Sequence, residues 1–134
     1  MPETEKITVN LSPVDLGRID TLVQQGLYSN RTDVIRTAIR NQLDRHDAII
    51  QDLVVRRSFT LGVQTVTRKS LEKHVAKGEQ LSLRVIGVLH VADDVPPALA
   101  EKAIRSVILF GVLHASDEVE AALSKRMKKG MEEE

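Results

Sequence analysis

Residues 6–11, Lys-Ile-Thr-Val-Asn-Leu, alternate polar and apolar side chains, yet no second strand lies within hairpin distance of them. Ile7, Val9 and Leu11 take one face of the strand that this alternation predicts, and Lys6, Thr8 and Asn10 take the other. A lone strand of about six residues is not stable in water, because its backbone groups and apolar face both need a neighbour. The partner must therefore come from another subunit. This requirement constrains the fold more than any other feature of the chain.

Two helices follow. Ser12, Pro13 and Asp15 supply a cap, a first-turn proline and an acid at the positive end of the helix dipole. Val14, Leu16, Ile19, Leu22 and Val23 then recur at helical spacing, and Gly26 closes the helix in the left-handed conformation that other residues avoid. Asn30 caps a second helix, with Asp33 in a capping-box-like position three residues on. Its apolar stripe is Val34, Ile35, Ala38, Ile39 and Leu43, while Arg36, Arg40 and Arg45 stay on the wetter side.

This strand–helix–turn–helix order, in KITVNLS, PVDLGRIDTLVQQ, GLYSNR and TDVIRTAIRNQLDR, resembles the ribbon-helix-helix DNA-binding proteins of the CopG/Arc/MetJ type. The resemblance implies an intertwined homodimer whose two strands form a ribbon in the major groove of double-stranded DNA. It assigns base contacts to the outward strand residues Lys6, Thr8 and Asn10, whose chemistries suit guanine, thymine or phosphate, and adenine. It assigns phosphate contacts to Asn30, Arg31 and Thr32 at the start of the second helix, where free amides and the dipole favour an anion. Ile7, Val9 and Leu11 become dimer-interface residues. Charge departs from a broad basic footprint: residues 1–57 hold eight Lys/Arg and eight Asp/Glu, so non-specific affinity is expected to be modest.

The whole chain of 134 residues carries 19 basic and 19 acidic residues and has room for one ordinary or two small domains. It has no cysteine, which excludes disulfides, thiol catalysis and cysteine-ligated metals. With no apolar leader and no run long enough for a membrane span, a cytoplasmic protein without a membrane partner is expected.

Residues 46–57 read as a helical connector, an extension of the second helix, since Ile49, Ile50, Leu53, Val54 and Val55 continue its apolar spacing without Pro or Gly. Beyond it lies an internal repeat. Gly87, Val88, Leu89, His90, Asp93, Val95, Ala98 and Leu99 recur as Gly111, Val112, Leu113, His114, Asp117, Val119, Ala122 and Leu123, an offset of 24. A weaker copy places Gly62 and Val63 an offset of 25 before Gly87 and Val88. Each unit reads as a strand of about eight residues and a short helix; Asp93 and Ser116 or Asp117 are the expected caps, with Pro96 and Pro97 in a first turn.

The expected fold class is thus α+β. A ribbon-helix-helix domain over residues 1–45 precedes a small α/β domain over residues 58–130, made of about three stacked strand–helix repeats with parallel strands. Residues 131–134 are an expected disordered tail. Both faces of the repeat strands are apolar. One carries Leu83, Val85, Leu89 and Val91 with Val107, Leu109 and Leu113. The other carries Ile86, Val88, Ile108, Phe110 and Val112, with Phe59, Leu61 and Val63 in the weak copy. Short helices can cover only one face, so Ile86, Val88, Phe110 and Val112 are expected to form a subunit interface and a higher homo-oligomer.

His90 and His114 occupy equivalent repeat positions and are the weak candidates for a metal site. No Asp, Glu or Cys at ligand spacing supports them, and surface strand ends are the plainer reading. No phosphate loop, nucleophile motif or paired-carboxylate constellation appears, so neither an enzyme nor a cofactor is expected. Three functions remain: a transcriptional repressor oligomerised by its second domain, a DNA-anchored polymerising scaffold, and the DNA-binding antitoxin of a toxin–antitoxin pair. The apolar C-terminal half disfavours the last, whose tails usually fold only when bound.

Overall fold

A computed structural model describes residues 4–128. The chain divides into two compact units, with the boundary between Ala48 and Ile49. The fold class is α+β, with six helices and one parallel sheet among the described residues.

The first unit contains α1 (Pro13–Gln24) and α2 (Arg31–Arg45), which pack on each other. Its hydrophobic burial is slight: Val34 is the one buried apolar residue described, while Ile7, Val9, Val14, Leu27 and Leu43 are each more than 60% exposed. A fully buried Val or Leu contributes roughly 1.5–3 kcal/mol, against an ordering cost of roughly 1–2 kcal/mol for each fixed residue. One such residue cannot hold two helices by itself.

Residues 44–49 differ from the expected continuous helix. Helix α2 ends at Arg45, His46 leaves the helical region at φ −107° and ψ 17°, and α3 (Asp47–Arg56) begins anew. The His46 amide donates to the Leu43 carbonyl at 3.1 Å, tightening the last turn, and Asp47 opens the next helix with an acid at its positive end. Neither Pro nor Gly is involved.

The second unit alternates strands and helices: β1 (Thr60–Val66), α4 (Arg68–Ala76), β2 (Leu81–Val91), α5 (Pro97–Ala103), β3 (Ile104–His114), α6 (Asp117–Ser124) and β4 (Met127–Lys128). The strands pair in parallel in the order β1-β2-β3-β4. Parallel neighbours require crossovers, and the short helices provide them. Leu71 of α4, Ala100 and Ala103 of α5, and Val119 and Leu123 of α6 form one core with Leu83, Val85, Leu89, Val91 and Val107 of the sheet. All three helices therefore cover the same face.

The register sets Gly62 opposite Gly87 and Gly87 opposite Gly111, so three glycines cross the sheet in line. Their φ angles of 123°, 133° and 134° lie where side chains are strained. At Gly87 and Gly111 an added Cβ would also run into the neighbouring strand's carbonyl. The repeated glycine is thus a condition for close strand pairing at mid-strand.

The strands β2 and β3 each run 11 residues, longer than the expected eight. Asp93 does not cap α5: Pro96 stands at that N-cap without a side-chain bond, and the helix starts at Pro97. A residue before proline is kept out of helical geometry, so two successive prolines move the start downstream of Asp93. Ser116 does cap α6, accepting from the Val119 amide at 3.3 Å. The short strand β4, beside Val107 and Ile108, was not expected. The expected tail at residues 131–134 and the end of the repeat domain at 129–130 lie outside the described residues.

The sheet face away from the helices is unevenly covered. Phe59 and Ile108 are buried, and Phe59 stacks on Phe110 with ring centroids 5.8 Å apart. Arg84 donates to the Arg57 carbonyl at 2.8 Å, fastening the join between α3 and β1 beside Ser58, whose φ is 56°. Leu61 and Val63 remain exposed, as does part of Phe110, with Ile86, Val88 and Val112 half-buried between them.

Candidate nucleic-acid interface

Residues 5–11 belong to no helix or ladder in the single chain, and every side chain from Lys6 to Leu11 is exposed, Ile7, Val9 and Leu11 included. The segment ends in a firm anchor. Ser12 is extended, at φ −65° and ψ 149°, and its Oγ accepts from the Asp15 amide at 3.1 Å. Lys6, Thr8 and Asn10 therefore sit immediately before a fixed helix start.

The turn between the helices is equally well built. Gly26, at φ 81°, donates its amide to the Val23 carbonyl, and Leu27 donates to Leu22. This pair of hydrogen bonds closes the end of α1 and leads the chain into Tyr28–Asn30. Asn30 is extended, and its Oδ1 accepts from the Asp33 amide at 2.8 Å. The Asp33 carboxylate reaches back to the Ser29 amide at 3.0 Å, one residue earlier than in a simple capping box. These two caps engage the amides of Ser29 and Asp33. They leave those of Arg31 and Thr32 at the N-terminal end of the α2 dipole.

Arg31 is engaged by its side chain instead. Its Nε and Nη2 donate to the two carboxylate oxygens of Asp20 on α1, at 2.7 and 2.8 Å. This forked pair is exposed at both ends, and the Arg31 hydrogen bonds hold the Asp20 carboxyl below its ordinary range. The pairing residues lie 11 positions apart, too far for a helix-periodicity argument to find. Asn30, Arg31 and Thr32 are thus together at one helix start, but the charge of Arg31 is shared with an acid.

In the second unit, His90 and His114 are register partners, and with Asp93, Leu113 and Ala115 they line a shallow cleft at the strand ends. Among the described residues no group of three or more His, Cys, Asp or Glu side chains could hold a metal ion. Nor is any described helix long and apolar enough to cross a membrane.

The sequence pattern of the Ribbon-Helix-Helix transcriptional regulator family matches residues 2–120, and the chain belongs to that family. The match runs well past the N-terminal third and takes in β1, β2, β3 and the start of α6. Regulators of this family bind DNA, usually as dimers. No curated protein and no solved structure gives a significant match.

Proposed function

We propose that this protein is a sequence-specific repressor that binds operator DNA as an intertwined dimer. Residues 6–11 of two chains pair as an antiparallel ribbon, which enters the major groove with Lys6, Thr8 and Asn10 toward the base edges. Asn30, Arg31 and Thr32 hold the flanking phosphates through amides, dipole and guanidinium. The repeat domain joins dimers through Ile86, Val88, Phe110 and Val112, so that neighbouring half-sites are bound together.

The observation that carries this reading is the exposure of the first unit's apolar residues. Ile7, Val9, Leu11, Val14, Ile35, Ile39 and Leu43 are at helix or strand spacing, yet all are exposed in one chain. A second copy supplies both the missing strand and a cover for this surface. The uncovered residues Leu61, Val63 and Phe110 support the second interface in the same way.

Selection of binding sites from random duplex DNA, read by sequencing, tests the proposal. The expected outcome is a short motif repeated with two-fold symmetry. In Thr8→Ala and Asn10→Ala the dimer persists while discrimination falls by about 1–3 kcal/mol for each lost base contact. Absence of any enriched motif, or unchanged preference in both variants, removes the assignment.

A further inference from the structure

We propose that Asp20 competes with DNA phosphate for the Arg31 guanidinium, and so sets both the affinity and the salt sensitivity of operator binding. This rests on the DNA-binding reading above. In the free chain both carboxylate oxygens of Asp20 are bonded to Arg31 through Nε and Nη2, which occupies two of the five guanidinium donors, the side-on fork that a phosphate would otherwise take, and pulls the charge toward α1. Two acids bond to residues at the start of α2: Asp20, on α1, through Arg31, and Asp33, whose carboxylate accepts from the Ser29 amide. With Arg31 held by Asp20, no free cationic side chain remains at positions 30–32.

The exchange is feasible because the pair is wet. The Arg31 and Asp20 side chains are 55% and 48% exposed, so water can replace either partner as the guanidinium turns away. A buried pair would lock it in place. When Arg31 moves to a phosphate, Asp20 is left bare beside a polyanion and takes up a cation from solution. That uptake cancels part of the counterion release that phosphate contact produces. Asp20 thus acts as a positioning and tuning residue that need not touch DNA. The near-balance of charge over residues 1–57 gives such an internal acid a large share in the outcome.

The test uses the full chain and a selected operator duplex, with binding followed by fluorescence anisotropy between about 50 and 200 mM salt. Asp20→Asn, Arg31→Gln and the double variant are compared with wild type, after thermal unfolding establishes that each is folded. Asp20→Ser replaces Asp20→Asn if the latter is not. Asp20→Asn should bind about two- to fivefold tighter per subunit at low salt. The slope of log affinity against log salt should steepen by up to ~0.9 per subunit. In the Arg31→Gln background the same change at Asp20 should lose most of its effect on both quantities. Weaker or unchanged binding by Asp20→Asn, or an equal gain with and without Arg31, overturns the exchange and leaves the DNA reading intact. A wild-type chain that selects no duplex overturns both.

Discussion

The line of glycines across the sheet yields a series of substitutions in which backbone strain and steric overlap separate. Gly62, Gly87 and Gly111 share nearly the same φ, so alanine at each suffers similar strain, about 1–3 kcal/mol for a region that side chains rarely adopt. Their surroundings differ. A Cβ on Gly62, in the edge strand β1, meets nothing within 4 Å. A Cβ on Gly87 overlaps the Gly62 carbonyl oxygen and comes within 3.0 Å of its carbon. The obstacle is backbone, so relief requires the strands to separate, at about 0.5–1.5 kcal/mol for each ladder hydrogen bond weakened. Gly62→Ala should therefore cost ~1–3 kcal/mol, and Gly87→Ala about 2 kcal/mol more, from one or two damaged ladder bonds. For a unit of this size the added loss corresponds to roughly 8–16 °C in midpoint. Urea and thermal unfolding followed by far-UV circular dichroism measure both quantities. Gly111→Ala, which meets the Gly87 carbonyl, should match Gly87→Ala. Equal stabilities for Gly62→Ala and Gly87→Ala would refute the overlap argument, since strain alone would then account for the glycines.

Two further outcomes follow from the sheet and from the ion pair. Val63→Asp and Phe110→Asp place a charge on the open sheet face, and each should lower the assembly mass seen by light scattering while site binding by a single dimer persists. Phe110→Asp also loses its stack on Phe59, worth about 0.5–1.5 kcal/mol; Val63, 66% exposed, isolates the interface effect, and an unchanged mass for both variants would show that this face is not a subunit interface. Asp20 titrates below the ordinary 3.8 because Arg31 stabilises its charged form, so the pair's contribution is present above the unfolded-state value and is lost as pH falls through the folded one. Carboxyl chemical shifts should record that low titration and its return upward in Arg31→Gln; an Asp20 value indifferent to Arg31 would dissolve the pair in solution.

What the sequence determined by itself lies within a turn or a strand. The alternation of Ile7, Val9 and Leu11, the caps at Ser12 and Asn30, and the stop at Gly26 are all local, because they depend on residues two to four positions apart. The repeated Gly-Val-Leu-His reached further, since identical segments joined by short helices align in parallel, and Gly87, His90 and their partners fall opposite one another. The tertiary structure decided the rest. The break at His46 carries no Pro or Gly, and the prolines at 96 and 97 moved the α5 start away from Asp93. Burial of Phe59 and Ile108 on the nominally open face depends on what lies above each, which alternation cannot report. The bond from Arg31 to Asp20 spans 11 residues and two helices, and it arises from where α1 crosses α2. Sequence periodicity gives the face of an element; only the packing of elements gives the partner across it, and the charge available at the start of α2 depends on that partner.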